Sequence, residues 1–387
     1  MSRATAVLVV AAFVAPLSGS APTAQADMVR VDLPSATVRL HFTDPPAGRS
    51  DSAAVDQLIR LVGQADRGAT VRIAFHMLTI DDVTKAIVAA KDRGVTVRVL
   101  HDGGQVASSD WAVTQLTSNL GSNHAWCNHR HFACISGHNS GRMHAKYMLI
   151  DKLTDSAGVA HQDVTWFSSA NMTLPSGTRT FNNTVTVYDD SDMYGDVYRE
   201  AWTPMWDEGR THDYGVDYYD YATGTGYFHS SQTNFHGFVS PEQQTDPVED
   251  MLFKVHAGPD CQIRVMQAQF RDTRQGIADR LAALQAGGCR ITVAAGVIDS
   301  GVCKALGDVN IPVKQNSRIH DKVIMINARY DGSSTPKQMA LAGSHNLSVQ
   351  ALRENDELLI RMDNTEIHNA YYVHYRKAYD SGAPVCE

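Results

Sequence analysis

The sequence predicts an α/β fold made of two similar halves, on three observations. A strand, a helix, a glycine and a second strand occur in that order twice. A His-x-Lys pair follows each copy, at His144 and Lys146 and again at His320 and Lys322. Beyond each pair an apolar run ends in a serine and an asparagine, Ser169 with Asn171 and Ser344 with Asn346. The two histidines lie 176 residues apart and the two asparagines 175, so the spacing holds through the later part of each copy.

In the first copy, residues 71–75 read as a buried strand. A helix over 81–92 follows, with Val83, Ile87 and Val88 at helical spacing, and Arg93-Gly94 ends it before a strand over 95–100. In the second copy the strand is 263–266 and the helix is 276–284, with Ile277, Leu281 and Leu284 on one face. Gly287-Gly288 stops that helix before a strand over 291–295. Each set is a βαβ unit, whose strands pair in parallel. Gly94 and Gly288 are 194 residues apart, so the shorter spacing of the histidines places an extra segment, 111–141, in the first half. Residues 202–236, rich in Tyr, Asp and Gly, join the halves, which we place at 35–215 and 216–387.

Of the 387 residues, 43% are hydrophobic and 20% charged, enough to bury a full core. The formal net charge is -8 and no Lys/Arg block stands out. That weighs against a tight nucleic-acid binder, which depends on basic side chains, but leaves room for a locally basic site. Arg3, an apolar run from Ala4 to Leu17 and the small-x-small end Ala24-Gln25-Ala26 predict a signal peptide over 1–26 and export of the protein. No later stretch reads as a transmembrane helix. Six cysteines in an exported chain imply disulfides, although six allow fifteen pairings. Cys127 and Cys134 can staple one loop, Cys261 and Cys289 precede two strands, and Cys303 is left with Cys386.

Both His-x-Lys pairs open β-rich runs. Side chains two apart on a strand share a face, so each histidine points the same way as its lysine. Asp151 and Asn327, seven residues on from the histidines, fall on the other face or past the strand end, in a structural position. The Ser/Asn clusters bring hydroxyl, amide and backbone N–H donors to strand ends, where they suit a phosphate that gains charge during reaction. Imidazole works near neutral pH as nucleophile or as acid, and two sites with different neighbours can divide those roles.

The pattern His-x-Lys-x4-Asp with a Gly/Ser-x-Asn cluster downstream resembles the HKD motif of the phospholipase D superfamily, and its two copies cover roughly residues 35 to 380. The resemblance implies two α-β-α halves about a pseudo-twofold axis, with one active site at the seam. It implies that His144 is the nucleophile and forms a phosphohistidine. His320 then protonates the leaving alcohol, and Lys146, Lys322, Asn171 and Asn346 hold the phosphate oxygens. It implies no cofactor and no metal. Two departures stand out. Asn327 replaces the usual Asp of the second motif. Glu357 resembles the carboxylate that orients a histidine, with His320 as its expected partner. The matching first-half stretch, Asn182-Asn183-Thr184, has no carboxylate, which leaves His144 to Thr184 or a group from elsewhere and allows the two histidines to exchange roles.

Two further clusters admit two readings each. His124, Cys127, His129, His131, Cys134 and His138 suit either zinc or a disulfide with solvated histidines. The aromatic connector, from Trp202 and Trp206 through Tyr214, Tyr218, Tyr219, Tyr221, Tyr227 and Phe228, suits either acyl chains at a bilayer or packing between the halves. The leading expectation is a secreted, monomeric phospholipase D, acting on phospholipids at a membrane or micelle surface, with transfer to an alcohol as a second outcome. A nuclease of the same superfamily and an inactive phosphate-binding protein are the alternatives.

Overall fold

The computed structural model describes residues 28–107, 111–127, 132–208, 218–220, 223–242 and 244–386, so the expected signal peptide lies outside the described residues. The first half carries β1 (Met28–Asp32), β2 (Thr37–Thr43), β3 (Thr70–Phe75), β4 (Thr96–His101), β5 (His124–Trp126), β6 (Tyr147–Thr154), β7 (Ala160–Ser168) and β8 (Asn182–Tyr188). The second carries β9 (Tyr227–Ser230), β10 (Phe235–Ser240), β11 (Gln262–Phe270), β12 (Arg290–Ile298), β13 (Val313–Gln315), β14 (Lys322–Arg329), β15 (Pro336–Gly343), β16 (Glu357–Met362) and β17 (Ala383–Val385).

The sheet orders are β1-β2-β8-β7-β6-β3-β4-β5 and, read from β9, β9-β10-β16-β15-β14-β11-β12-β13-β17. The second order repeats the first strand for strand and adds β17 at its far edge. The duplication therefore includes the hairpins β1–β2 and β9–β10, which the sequence pattern did not reveal. The expected parallel pairs are β3 with β4 and β11 with β12. Helices Asp81–Asp92 and Gln275–Ala286 make the crossovers, burying Val83 and Ile87 in one and Ile277, Leu281 and Leu284 in the other. Each crossover ends in a glycine with positive φ, Gly94 at 93° and Gly288 at 101°. A side chain there would be strained, which explains why glycine stands at both positions.

Two apolar clusters pack the outer helices onto their own sheets. A third, between the sheets, takes Phe42, Tyr147 and Phe181 from one half and Val323, Met325 and Tyr371 from the other. Trp202, Trp206, Tyr218 and Phe228 belong to it, with the two indoles stacked at 5.0 Å. The described part of the aromatic connector is thus largely core. Tyr214 and Tyr221 lie outside the described residues, as do His129 and His131.

The disulfides are Cys127–Cys134, Cys261–Cys289 and Cys303–Cys386. The second joins the starts of two paired strands, and the third ties the residue after β17 to the helix Ser300–Gly307. With Cys127 and Cys134 bonded to each other, and His124 hydrogen-bonded to His101 (2.8 Å) and Thr117 (3.0 Å), the zinc reading fails for the described residues of that cluster. No helix among the described residues is long and apolar enough to cross a membrane.

Candidate active site at the seam

His144 and Lys146 precede β6, which begins at Tyr147, and His320 directly precedes Asp321 and β14. Each histidine backbone is pinned by the opposite half. His144 and Ala145 donate their N–H groups to the Asp356 carbonyl (both 2.9 Å), and His320 donates to the Phe181 carbonyl (3.1 Å). These cross-links make the seam and bring both motifs to one place.

The side chains cross in the same way. The Nδ1 of His144 lies 2.8 and 2.9 Å from the two oxygens of Glu357. The Nδ1 of His320 lies 3.0 Å from Asn182 Oδ1. Glu357 therefore serves His144 and not His320, which corrects the expected pairing. Asn182 and Glu357 are 175 residues apart, the spacing of the duplicated asparagines, so they hold equivalent positions at the starts of β8 and β16. Each reaches over the seam to the other half's histidine, a relation that spacing within one half cannot reveal. Thr184, the other candidate for His144, is buried in β8, and its hydroxyl has no partner among the described residues.

The expected serines also act differently. Ser169 donates to Asn182 Oδ1 at 3.0 Å and lies 3.1 Å from Asp321, and Ser344 donates to Glu357. Both hydroxyls brace the orienting residues instead of facing a phosphate. The Asn182 amide nitrogen donates to the Ser176 and Thr180 carbonyls (2.6 and 3.1 Å), which turns its oxygen toward His320. Lys146 and Lys322 each give one N–H to the carbonyl of their own histidine at 2.5 Å; Lys146 is left with donors for a substrate, whereas Lys322 also donates to the Ser169 carbonyl (3.4 Å) and lies 3.2 Å from His320 Nδ1. Asn171 Oδ1 lies 3.3 Å from His76 Nδ1, and Asn346 Oδ1 is buried without a protein partner among the described residues. Asp151 accepts from the Thr70 amide (2.8 Å) and Asn327 pairs with Gln262 and Gln338, both well along their strands from the histidines.

Several contributors were not read from the sequence. His76 follows β3 and places its ring 4.7 Å from that of His144. Its signal was available, since ligands gather at the carboxyl ends of parallel strands. Ser176 sits 3.3 Å from His320 Nδ1. Asp321 is fully buried and held by His374 Nε2 (2.7 Å) and by Asn183. His345 contacts Arg274 (3.1 Å), which is paired with Asp246.

Burial holds the imidazoles of His144 and His320 well below their usual pKa, and the charges of Lys146 and Lys322 push the same way. Burial also lowers Lys146 well below the ordinary lysine range, with Lys322 adding to it, and brings Lys322 down to about 8. Burial raises Glu357, against the pull of Lys146. A phosphate placed among these groups favours the charged forms of the two histidines and the two lysines. Glu357→Gln keeps the shape and removes the charge, and is expected to reduce kcat by about 10²- to 10⁴-fold with the fold intact, as checked by steady-state kinetics beside thermal melting.

The family model described as "Cardiolipin synthase, PLD-like domain" matches residues 58–202 and 257–378, both halves of the fold. The chain belongs to that family, within the phospholipase D superfamily. It is an enzyme of the superfamily's phosphodiesterase type. A phosphatidylserine synthase structure from Haemophilus influenzae Rd KW20 aligns over 93% of this chain and 89% of its own, with 10% identity and a TM-score of 0.60. A polyphosphate kinase structure from Porphyromonas gingivalis aligns over 86% of this chain, with 13% identity and a TM-score of 0.55, and this chain spans 45% of that one. At such identities these two share the fold. No curated protein matches the sequence.

Proposed function

We propose that this phospholipase D superfamily member is an exported phospholipase D, cleaving the distal phosphodiester of phospholipids through a phosphohistidine on His144. The observation that carries the reading is the unlike pairing of the two histidines. Glu357 accepts the Nδ1 proton of His144, making Nε2 electron-rich and stabilising the cation formed when it bonds to phosphorus. Asn182 is neutral, so a protonated His320 stays acidic and gives up its proton readily.

In the first step the His144 Nε2 lone pair attacks phosphorus, the bond to the head-group oxygen breaks, and that oxygen takes the proton from His320. In the second, His320 accepts a proton from water as the water oxygen attacks phosphorus. The phosphorus–nitrogen bond then breaks, releasing phosphatidic acid, and an alcohol in place of water gives transfer. Lys146 and Lys322 offset the charge on the non-bridging oxygens. A lipid substrate is supported by large apolar side chains left exposed beside the site. Met77 follows His76, and Leu174 opens the helix Leu174–Arg179 that carries Ser176 (40% and 56% exposed). The family's description and the phosphatidylserine synthase neighbour also name phospholipid enzymes.

The test is choline release from phosphatidylcholine vesicles by the mature protein in EDTA, with His144→Ala as control. Release that depends on His144 supports the reading, and cleavage of single-stranded DNA without lipid turnover would replace it by the nuclease. Export is checked by sequencing the N-terminus of protein recovered from the medium, where Asp27 is expected first. The pH profile follows from the histidines. His144 must be neutral and His320 protonated, and both pKa values lie below the ordinary 6.5. The optimum of kcat/KM is therefore expected below pH 6.5, with activity falling as pH rises from there. A profile centred near pH 8 contradicts this assignment.

A further inference from the structure

Beside the His320 end of the site lies a cavity of about 400 Å³ lined by Pro46, Gly48, Arg49, Ser50, Arg179 and Arg318. Its three arginines come from three segments and from both halves. Among the described residues, no carboxylate lies within ion-pair distance of any of them, in a protein whose acids outnumber its bases by 42 to 34. The acids of the same loop are engaged elsewhere. Asp51 accepts from the amides of Asp44 (2.9 Å) and Ala53 (3.0 Å), and Asp44 is paired with Lys377. Converging like charges repel one another, and an anion bound between them removes that cost. Guanidinium groups suit phosphate, which they grip in a planar fork.

The cavity is tied to the catalytic acid. Arg318 is two residues from His320, and its carbonyl accepts from the Phe181 amide (2.7 Å), whose own carbonyl holds the His320 N–H (3.1 Å). The Arg318 guanidinium is set in place by the Pro45 carbonyl (2.5 Å) and lies 5.2 Å from the centre of the Phe181 ring. Arg179 follows Ser176, the neighbour of His320, by one helical turn. The cavity thus flanks the histidine that protonates the departing alcohol.

We propose that this cavity is a second anion subsite, taking a phosphate carried by the leaving alcohol, so that the preferred substrates are phospholipids with phosphorylated head groups. The proposal rests on the reading of His144 as nucleophile and His320 as acid. The test compares phosphatidylinositol with phosphatidylinositol 4-phosphate in the same neutral detergent micelles, for the wild type and for Arg49→Ala/Arg179→Ala, with bis(p-nitrophenyl) phosphate as a probe lacking a second phosphate. The wild type is expected to prefer the 4-phosphate by at least about 10-fold in kcat/KM, mostly through KM, and the double variant to lose that preference. Equal rates for the two lipids, or a preference that survives in the variant, overturn the subsite while turnover of the probe leaves the histidine assignment standing. No turnover of the probe would instead strike the assignment itself. Arginine-dependent cleavage of single-stranded DNA, with no preference between the lipids, overturns the lipid form of the proposal.

Discussion

Replacing His144 by Ala is expected to stop formation of the phosphohistidine from every phosphodiester, whereas His320→Ala slows that step only where the leaving group needs a proton. Without His144 there is no atom to form the covalent intermediate, and losses on the order of 10⁶-fold are typical when a nucleophile is removed. Without His320, expulsion of choline slows by about 10²- to 10⁴-fold, the usual contribution of a positioned acid. A nitrophenolate leaves without a proton. On bis(p-nitrophenyl) phosphate, His320→Ala should therefore show a burst of one nitrophenol per enzyme and then stall as the phosphohistidine, because no base activates water. Mass spectrometry of the intact protein should show the added phosphoryl ester on His144. A burst in His144→Ala in place of His320→Ala would exchange the roles, contrary to the Glu357 and Asn182 pairings.

Asp356→Ala is expected to destabilise the fold by about 3–5 kcal/mol, since buried amide donors that lose their acceptor cost about 1–3 kcal/mol each, and to remove most activity. The Asp356 carboxylate is fully buried and accepts from the amides of Cys134 (2.5 Å), Ile135 (3.1 Å) and Ser136 (3.0 Å). It thereby fastens the disulfide-stapled loop of the first half to the second. Its backbone carbonyl holds His144, and the next residue is Glu357. Ala leaves three amides without their acceptor close to His144 and Glu357. Urea unfolding measures the loss of stability. Asp356→Asn, which keeps one acceptor, should fall between Ala and wild type in both stability and rate, and normal stability in Asp356→Ala would refute the clasp.

Much of this was legible in the residues. The βαβ units were readable because parallel strands buried on both faces are apolar runs and their crossover helices carry a 3.6-residue period closed by glycine. The opening hairpins β1–β2 and β9–β10 escape the sequence pattern because β1 and β9 are edge strands of five and four residues, too short for a clear alternation. The cysteine pairs could be named because Cys261 and Cys289 stand at matching places before paired strands. Ser169 and Ser344 were assigned to the phosphate because their sequence neighbours are asparagines, yet their hydroxyls turn back to Asn182 and Glu357.

The residues along the chain specify two equivalent halves, each with a histidine, a lysine and an asparagine in register. Those are properties of spacing, and spacing is local. Only the folded chain shows that Glu357 orients His144 and Asn182 orients His320, that Asp321 and Asp356 are buried anchors of the seam, that His76 lies beside His144, and that three arginines line one cavity. Each of these depends on one half meeting the other or on loops converging in space. Because the active site lies on the axis between the halves, its decisive contacts are made between residues far apart in the chain.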